Sequence, residues 1–362
     1  MPDAPGAPVG PGPVLVVGTG LLGTSVGLAL TRAGREVRLS DPQPEHVRTA
    51  SGLGAGRAAR PDDPEPALVV VACPPDALGA VIAEQLLAHP TAVVTDVGSV
   101  KTAPLTALAS RVGRDDGARY VGSHPMAGSE RSGPLAATAT LFEGRPWAVT
   151  PHAGSAPDAV AAVTEVAETC GAVTVTMSPA EHDLAVARTS HLPHLMAVLV
   201  AGRLADAPTE QLALSGQGVR DVTRVAGGDP ALWQQIVGAN APAVADLLRQ
   251  VRTDLDGLIG VVETGGELAP VLDRGVAGVR AIPGKHGGPP TATSAVYVAV
   301  PDHPGELARL FADAGEIGVN IEDVRIDHDP GRPVGLVELT VTAAHAVVLR
   351  HALGERGWET QR

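Results

Sequence analysis

Two histidines and a proline lie close together in an otherwise apolar, helix-like segment. Ser190, His191, Pro193 and His194 belong to residues 184–204, most of which are Ala, Leu and Val. Histidines three positions apart point to the same side of a helix, and a proline inside a helix removes a backbone hydrogen bond and tends to kink the axis. Since buried imidazoles need hydrogen-bond partners, the cluster is either a satisfied pair at the core edge or one wall of a site.

Three further polar stretches have residue types that suit alcohol oxidation. Ser99 and His124 each follow an apolar strand, in DVGSVK and SHPMAGSE, and Arg224 lies in DVTRVA. A histidine that titrates near neutral pH can accept a hydroxyl proton while hydride leaves, and an arginine can bind a carboxylate through two parallel hydrogen bonds. Taken singly, Ser99 is equally well a helix N-cap, Arg224 a surface ion-pair partner and Glu130 an exposed acid. Together they predict a site that oxidises an acidic alcohol.

A glycine-rich loop, GTGLLG, follows the apolar run at 14–17 and opens a helical pattern. This placement is typical of dinucleotide binding: Gly18 permits the tight turn, Gly20 lets a pyrophosphate approach the backbone, and Gly23 lets helix and strand pack closely. The free N–H groups at the helix N-terminus favour the anion. The residues expected to bind the cofactor are Gly18, Thr19, Gly20, Leu21, Leu22, Gly23, Asp41, Cys73 and Pro74.

Asp41 ends the second predicted strand and indicates which dinucleotide is bound. A carboxylate there binds both ribose hydroxyls and repels a 2′-phosphate, which favours NAD over NADP. Arg38 lies nearby and in principle weakens that preference. Cys73 and Pro74 follow a buried strand at the carboxyl edge of the sheet, where the nicotinamide crevice is expected.

The elements that position these residues fall into three predicted domains. Buried apolar strands alternate with helices in the first part of the chain, which predicts a Rossmann-type, doubly wound parallel sheet. Long helices with broad apolar faces follow and predict an all-helical domain that pairs two subunits. A strand, helix, strand, strand, helix order then predicts a small α+β ferredoxin-like module. The predicted boundaries are a disordered leader at 1–12, the Rossmann domain at 13–178, the helical domain at 179–282, a linker at 283–294 and the module at 295–362.

Composition excludes several classes of protein. The 362 residues carry a formal net charge of −13, which argues against nucleic-acid binding because phosphate contacts need clustered Lys and Arg. The two cysteines, Cys73 and Cys170, support neither a disulfide framework nor a metal-binding spacing. We find no apolar run of about twenty residues and no signal-like N-terminus. We therefore expect a cytoplasmic protein without a membrane span.

The chain resembles the prephenate/arogenate dehydrogenase family of tyrosine biosynthesis. The resemblance covers about residues 14–280 and lies in five motifs that follow in order: GTGLLG, DVGSVK, SHPMAGSE, EHDLAVARTSHLPH and DVTRVAGGDPALW. It implies an NAD-binding Rossmann domain, a helical domain that forms a homodimer, and an active site in the cleft between them. The implied reaction is oxidative decarboxylation, in which the ring hydroxyl is oxidised, hydride passes to NAD and loss of CO2 aromatises the ring.

The resemblance also implies roles for individual residues. His124 matches the catalytic histidine that accepts a hydrogen bond from the ring hydroxyl, and Ser99 matches the serine that orients it beside the nicotinamide. Arg224 matches the arginine that holds a substrate carboxylate. The other substrate-binding positions are His194, a second contact, Glu130 as a gate, Trp233 as a wall, and His191 as support. Prephenate is the expected substrate, and arogenate, which has an amino group in place of the keto group, stays open as the alternative.

The last module resembles an ACT domain, in DHPGEL followed by GVNI. Such modules usually pair and bind amino acids at the interface, so tyrosine is the expected effector, while a purely structural tail is the alternative. The expected effector-binding residues are Asp302, Pro304, Gly305, Asn320 and Ile321.

Three other functions were weighed against this one. Dehydrogenases of 3-hydroxyacids generally use a lysine in the helical domain, but the only lysines here are Lys101 and Lys285. A metal site on His182, Asp183, His191 and His194 has no zinc-protease spacing, and the reaction needs no metal, so none is expected. A non-catalytic regulator that senses NAD and an amino acid remains a less favoured reading.

Overall fold

A computed structural model describes residues 12–128, 132–283, 292–328 and 334–361. They form two compact units that divide between Val271 and Leu272. The predicted Rossmann domain and most of the predicted helical domain belong to the first unit, whereas the end of the helical domain, from Leu272, lies in the second unit with the small C-terminal module. Most of the predicted leader and linker lies outside the described residues.

The first unit contains an eight-stranded sheet in the order β3-β2-β1-β4-β5-β6-β7-β8. Neighbouring strands from β3 to β6 pair in parallel, which confirms the Rossmann-type prediction, whereas β7 pairs antiparallel to β6 and parallel to β8. The predicted all-parallel sheet is thus mixed at one edge. The strands are β1 Val14–Val17, β2 Val37–Ser40, β3 Arg57–Ala58, β4 Leu68–Val71, β5 Val93–Asp96, β6 Tyr120–Pro125, β7 Pro146–Thr150 and β8 Val173–Thr176.

Helices cover the sheet, and its core is almost entirely aliphatic. Val14, Val70 and Leu39 are fully or nearly fully buried, as expected of strands that are packed on both faces. The order in which successive strands are added reverses between β1 and β4, the position at which open α/β sheets bind ligands. The helices around the sheet are α1 Leu21–Arg32, α2 Pro44–Gly52, α3 Leu78–Ala88, α4 Thr102–Ala109, α5 Arg114–Ala118 and α6 Pro157–Thr169, with a 3-10 turn at Pro134–Ala136.

The helical part of this unit begins with α7 (Pro179–Val186), capped at Ser178, whose side chain and Glu181 form a reciprocal capping box. The predicted kink takes the form of a π turn at Ala187–His191, followed by α8 (Leu192–Gly202) with Pro193 in its first turn. A proline there has no N–H to donate to the preceding turn, which favours the wider turn. The elements that follow are α9 Thr209–Leu212, α10 Gln217–Thr223, a 3-10 turn at Arg224–Gly227, α11 Pro230–Ala239, α12 Ala241–Thr264 and α13 Ala269–Arg280, and the two units divide within α13.

The α7–π–α8 segment, Pro179–Gly202, is long and apolar enough to cross a membrane by length and composition alone. Its polar side chains instead contact the Rossmann part: the carboxylate of Asp183 accepts hydrogen bonds from the backbone N–H groups of Lys101 and Thr102. These contacts hold one side of the segment against the Rossmann part, whereas Leu184 and Leu199 are each 60% exposed.

The second unit has an antiparallel sheet in the order β10-β11-β9-β12. Because β11 lies between β9 and β10, the connection through α14 is a split β–α–β unit, the ferredoxin-like arrangement that the sequence predicts, completed by a last short strand. Val298, Leu310 and Leu339 are fully buried in its core. The elements are β9 Thr293–Pro301, α14 Glu306–Glu316, β10 Asp323–His328, β11 Val334–Thr342, α15 Ala343–Glu355 and β12 Glu359–Gln361.

Candidate active site

The glycine loop has the geometry that a dinucleotide requires. Gly18 has a φ of +98°, and a Cβ there would lie 2.4 Å from the carbonyl oxygen of Ala72; a Cβ on Gly23 would lie 1.9 Å from the carbonyl oxygen of Gly18. A Cβ on Gly20 would meet no heavy atom of the described residues within 4 Å. The space in front of the α1 N-terminus is therefore open. α1 begins at Leu21, and no side chain of the described residues caps it, so these residues fit a pyrophosphate at a helix N-terminus.

The Asp41 carboxylate accepts hydrogen bonds from this loop and has room to bind a ribose hydroxyl. Its Oδ2 accepts the N–H of Thr19 at 2.7 Å and the Thr19 hydroxyl at 3.1 Å, and its Oδ1 accepts the N–H of Gln43 at 2.8 Å. A carboxylate has about four acceptor positions, so capacity remains for a hydroxyl. The carboxylate and the open loop together fit NAD.

Arg38 does not soften that preference as the sequence allowed in principle. Its side chain is only 3% exposed, its Nε donates to Glu36 at 3.0 Å, and a terminal nitrogen donates to the carbonyl of Pro64. Binding a 2′-phosphate would require these bonds to break.

The other predicted cofactor residues lie at the carboxyl end of β4. Pro74 is exposed and Cys73 is half-buried. Burial, with the nearby charge of Asp96, raises the pKa of the Cys73 thiol to about 12. The thiol is therefore neutral at pH 7 and is not activated as a nucleophile.

His124 lies near the end of β6, and its ring is hydrogen-bonded on one nitrogen. Nδ1 lies 3.0 Å from Nε2 of His182, and the two rings meet edge to face with centroids 5.2 Å apart. Burial, followed by the neighbouring His182 and Lys101, holds the pKa of His124 well below its ordinary value. The imidazole is therefore neutral at pH 7 and able to accept a proton.

His182 and Asp183, from the start of α7, lie behind His124. Nδ1 of His182 is 2.9 Å from Oδ1 of Asp183, and Asp183 also accepts the N–H groups of Lys101 and Thr102, both at 2.8 Å. Burial alone would raise the pKa of Asp183, but the hydrogen bonds from His182, Thr102 and Lys101 hold it below its ordinary value. The sequence reasoning weighed this pair only as metal ligands, and the described residues contain no cluster able to hold a metal.

A buried ion pair supports the strand that carries His124. The Lys101 ammonium contacts the Asp96 carboxylate and donates to the Ser123 carbonyl at 2.6 Å, and the Tyr120 hydroxyl donates to Asp96 at 2.8 Å. Lys101 and Asp96 are 1% and 0% exposed. Both residues belong to the motif DVGSVK, and two opposite charges beside an apolar strand are the sequence signal that could have predicted the pair.

Ser99 lies half-buried on the loop between β5 and α4, at the same edge of the sheet. Within the described parts of the chain no hydrogen bond joins it to His124, whose Nδ1 is bonded to His182. The hydrogen bond to Nδ1 of His124 is made by His182, and the role expected of Ser99 stays a prediction.

A second group of predicted residues forms an apolar wall. The rings of His194 and Trp233 stack with centroids 3.5 Å apart and an angle of 8°, and both line a cavity of about 500 Å³. A Cβ on Gly228 would lie 2.5 Å from Trp233 Nε1, so this glycine is needed for the stack. His191 lies behind, 1% exposed, with Nδ1 3.3 Å from the Asn240 amide nitrogen.

Arg224 begins the exposed 3-10 turn that leads to Gly228. It belongs to the same helical part as Trp233. Glu130, the predicted gate, lies outside the described residues.

Comparison with known proteins places this geometry in a family. Residues 26–176 match the model of the prephenate dehydrogenase nucleotide-binding domain, and residues 178–269 match that of its dimerization domain. The probable prephenate dehydrogenase NovF of Streptomyces niveus is 37% identical over 95% of this chain and 98% of its own length. The chain belongs to the prephenate dehydrogenase family. It is an NAD-dependent oxidoreductase with the prephenate dehydrogenase activity that the sequence predicted.

Solved structures of the family agree with the fold. The Aquifex aeolicus prephenate dehydrogenase in complex with hydroxyphenyl propionate and NAD+ matches with a TM-score of 0.67 and 29% identity, over 74% of this chain and 97% of that one. The Synechocystis arogenate dehydrogenase matches with a TM-score of 0.61 and 28% identity, over the same shares of the two chains. The family models end at residue 269, whereas the NovF match necessarily extends into the second unit.

Proposed function

We propose that prephenate is oxidised at the carboxyl edge of the large sheet, with His124 as the base that accepts its ring hydroxyl proton. The observation that carries this proposal is the His124 ring, which is neutral and hydrogen-bonded through Nδ1 at 3.0 Å. With a proton on Nδ1, its Nε2 is left as an acceptor. When bound, NAD accepts the hydride from the carbon that carries the hydroxyl.

The residues of the chain mainly position the substrate, because aromatisation of the ring supplies the driving force. We propose that Arg224 binds the side-chain carboxylate and that the stacked His194 and Trp233 rings form a wall against the substrate ring. A local cation is needed, since a protein with a net charge of −13 repels a dianion. Because Ser99 has no hydrogen bond to His124 among the described residues, we propose that it contacts the nicotinamide side of the cleft.

The preference between prephenate and arogenate is tested by steady-state rates with each substrate and each cofactor. We expect kcat/KM to be highest with prephenate and NAD, because Asp41 disfavours the 2′-phosphate of NADP. A higher kcat/KM with arogenate would identify the alternative substrate, and equal rates with NAD and NADP would contradict the role of Asp41.

We propose that the helical part pairs two copies of the chain. The dimerization-domain match covers residues 178–269, and α12 carries an exposed apolar stripe at Leu255, Ile259 and Val262, which are 51%, 46% and 63% exposed. The spacing of four and then three places them on one helix face. Sedimentation of the intact protein should give twice the chain mass; a monomer would contradict this.

We also propose a cytoplasmic location, since both cysteines are free thiols.

We propose that the second unit is an ACT-type module that binds tyrosine. Asp302, Pro304 and Gly305 precede α14, whereas Asn320 and Ile321 follow it. An eleven-residue helix is about 16 Å long, so one amino acid contacts both groups only where two modules pair. Removal of residues 292–362 should abolish inhibition by tyrosine and leave basal turnover; unchanged inhibition would contradict the regulatory role.

A further inference from the structure

A line of hydrogen bonds leads from His124 away from the cleft. His124 Nδ1 lies 3.0 Å from His182 Nε2, and His182 Nδ1 lies 2.9 Å from Asp183 Oδ1. One set of tautomers satisfies every contact: His182 donates to Asp183, His124 donates to His182, and only His124 Nε2 is left as an acceptor. The base thus has a second imidazole directly behind it.

We propose that His182 is the final acceptor of the substrate proton, so that the positive charge created by oxidation rests on His182 rather than on His124. This inference rests on the proposed role of His124 as the base. His182 does not touch the substrate; it is a positioning residue that also takes a proton through His124.

The charges around the two rings favour this location. Lys101 and Asp96 form a buried ion pair that is neutral as a unit, wherever its shared proton lies. Asp183 remains as an uncancelled negative charge, in contact with His182 but not with His124. Lys101 is among the groups that disfavour a positive charge on His124. A proton is therefore better stabilised on His182.

The remaining titratable groups around the pair stay uncharged. Burial holds the pKa of His191 at about 4, and burial with the charge of Asp96 holds that of Tyr120 well above its ordinary value. With both rings of the pair neutral, the cluster carries one net negative charge; with one proton added, it carries none. The titratable and charged residues that face the pair are Asp96, Lys101, Tyr120, Asp183 and His191.

The step balances within the chain and the known reaction. The hydroxyl proton moves to Nε2 of His124, and the Nδ1 proton of His124 moves to Nε2 of His182. Hydride leaves the ring carbon for NAD, and the electron pair of the breaking carbon–carboxylate bond enters the ring as CO2 departs. The electron pair ends on the ring oxygen, and because His182 is 1% exposed, its proton returns through His124 to that oxygen and gives the neutral phenol.

The test compares His182→Gln with His89→Gln in the full-length protein. Glutamine can accept the hydrogen bond of His124 but cannot take its proton. His89 is the control, since its Nδ1 lies 3.1 Å from a Glu65 oxygen and the two residues precede β5 and β4, at the edge of the sheet opposite to His124. Single-turnover NADH formation from prephenate should fall about tenfold to a hundredfold in His182→Gln, with KM for prephenate and NAD nearly unchanged and His89→Gln at the wild-type rate.

The pH profile separates a relay from a merely structural role. His182→Gln removes the second imidazole, so a proton taken up by the site must enter His124, where burial and Lys101 oppose it. The acid limb of kcat should therefore move to lower pH. Histidine 15N NMR of both proteins without cofactor should show one protonation in the wild type that is absent from His182→Gln. A wild-type rate and an unmoved acid limb would overturn the relay, whereas a fully active His124→Asn would overturn the proposed base itself.

Discussion

The two walls of the site are built in opposite ways. The wall behind His124 is a buried polar network in which Asp96, Lys101 and Asp183 are at most 6% exposed. In the other wall Arg224 is exposed and Trp233 is half-buried, although His194, which stacks on Trp233, is only 6% exposed. Chemistry that moves a proton needs fixed dipoles and a dry environment, whereas a surface that admits a substrate must be open. The difference predicts that changes in the first wall affect folding and kcat, and changes in the second affect KM.

The largest effect is expected from Lys101→Met. This substitution leaves the Asp96 carboxylate buried without its cation, which should lower the free energy of unfolding by about 3–5 kcal/mol. Urea unfolding of the intact protein measures this loss. The double variant Asp96→Asn with Lys101→Met should recover much of that loss. A single variant as stable as the wild type would show that the first wall does not depend on its ion pair.

Next in size is the effect of His191 on stability at acid pH. Its pKa of about 4 lies below the ordinary 6.5, so the unfolded chain binds more protons than the folded one between these values. The contribution of neutral His191 to the free energy of unfolding is therefore fully present above pH 6.5. It falls by at most about 3 kcal/mol as the pH is lowered towards 4. The difference in unfolding free energy between the wild type and His191→Gln should shrink over this range; a constant difference would contradict the buried neutral state.

A smaller effect, confined to binding, is expected from Arg224→Gln. Loss of a charge-assisted bond to a carboxylate should raise KM for prephenate about tenfold to a hundredfold and leave kcat nearly unchanged. Arg220→Gln, four residues earlier on α10, is the matched control and should leave both constants unchanged. A fall in kcat without a rise in KM would place Arg224 in the chemistry and remove the contrast between the walls.

The parts of the molecule that could be predicted depend on local patterns. The alternation of apolar strands and helices, and the position of GTGLLG after β1, indicate the Rossmann sheet and its loop because period and glycine spacing are properties of short segments. Membership of the prephenate dehydrogenase family, confirmed by the comparisons, extended that prediction to the reaction.

What sequence reasoning missed depends on contacts between distant segments. Asp183 lies about eighty positions along the chain from Lys101 and Thr102, whose backbone N–H groups donate hydrogen bonds to it. No local sequence pattern relates these residues. The same applies to the pairing of His124 with His182. The reversed direction of β7 likewise depends on pairing with β6, which the strand residues alone do not determine.

The most direct test of the account is the division of the loss between kcat and KM in His124→Asn. We predict that kcat for NADH formation from prephenate falls by about a hundredfold or more, while KM for prephenate and NAD stays nearly unchanged, because the open wall that binds the substrate is intact. NADH production at the wild-type kcat, or a loss confined to KM, would contradict the assignment of the chemistry to the buried wall.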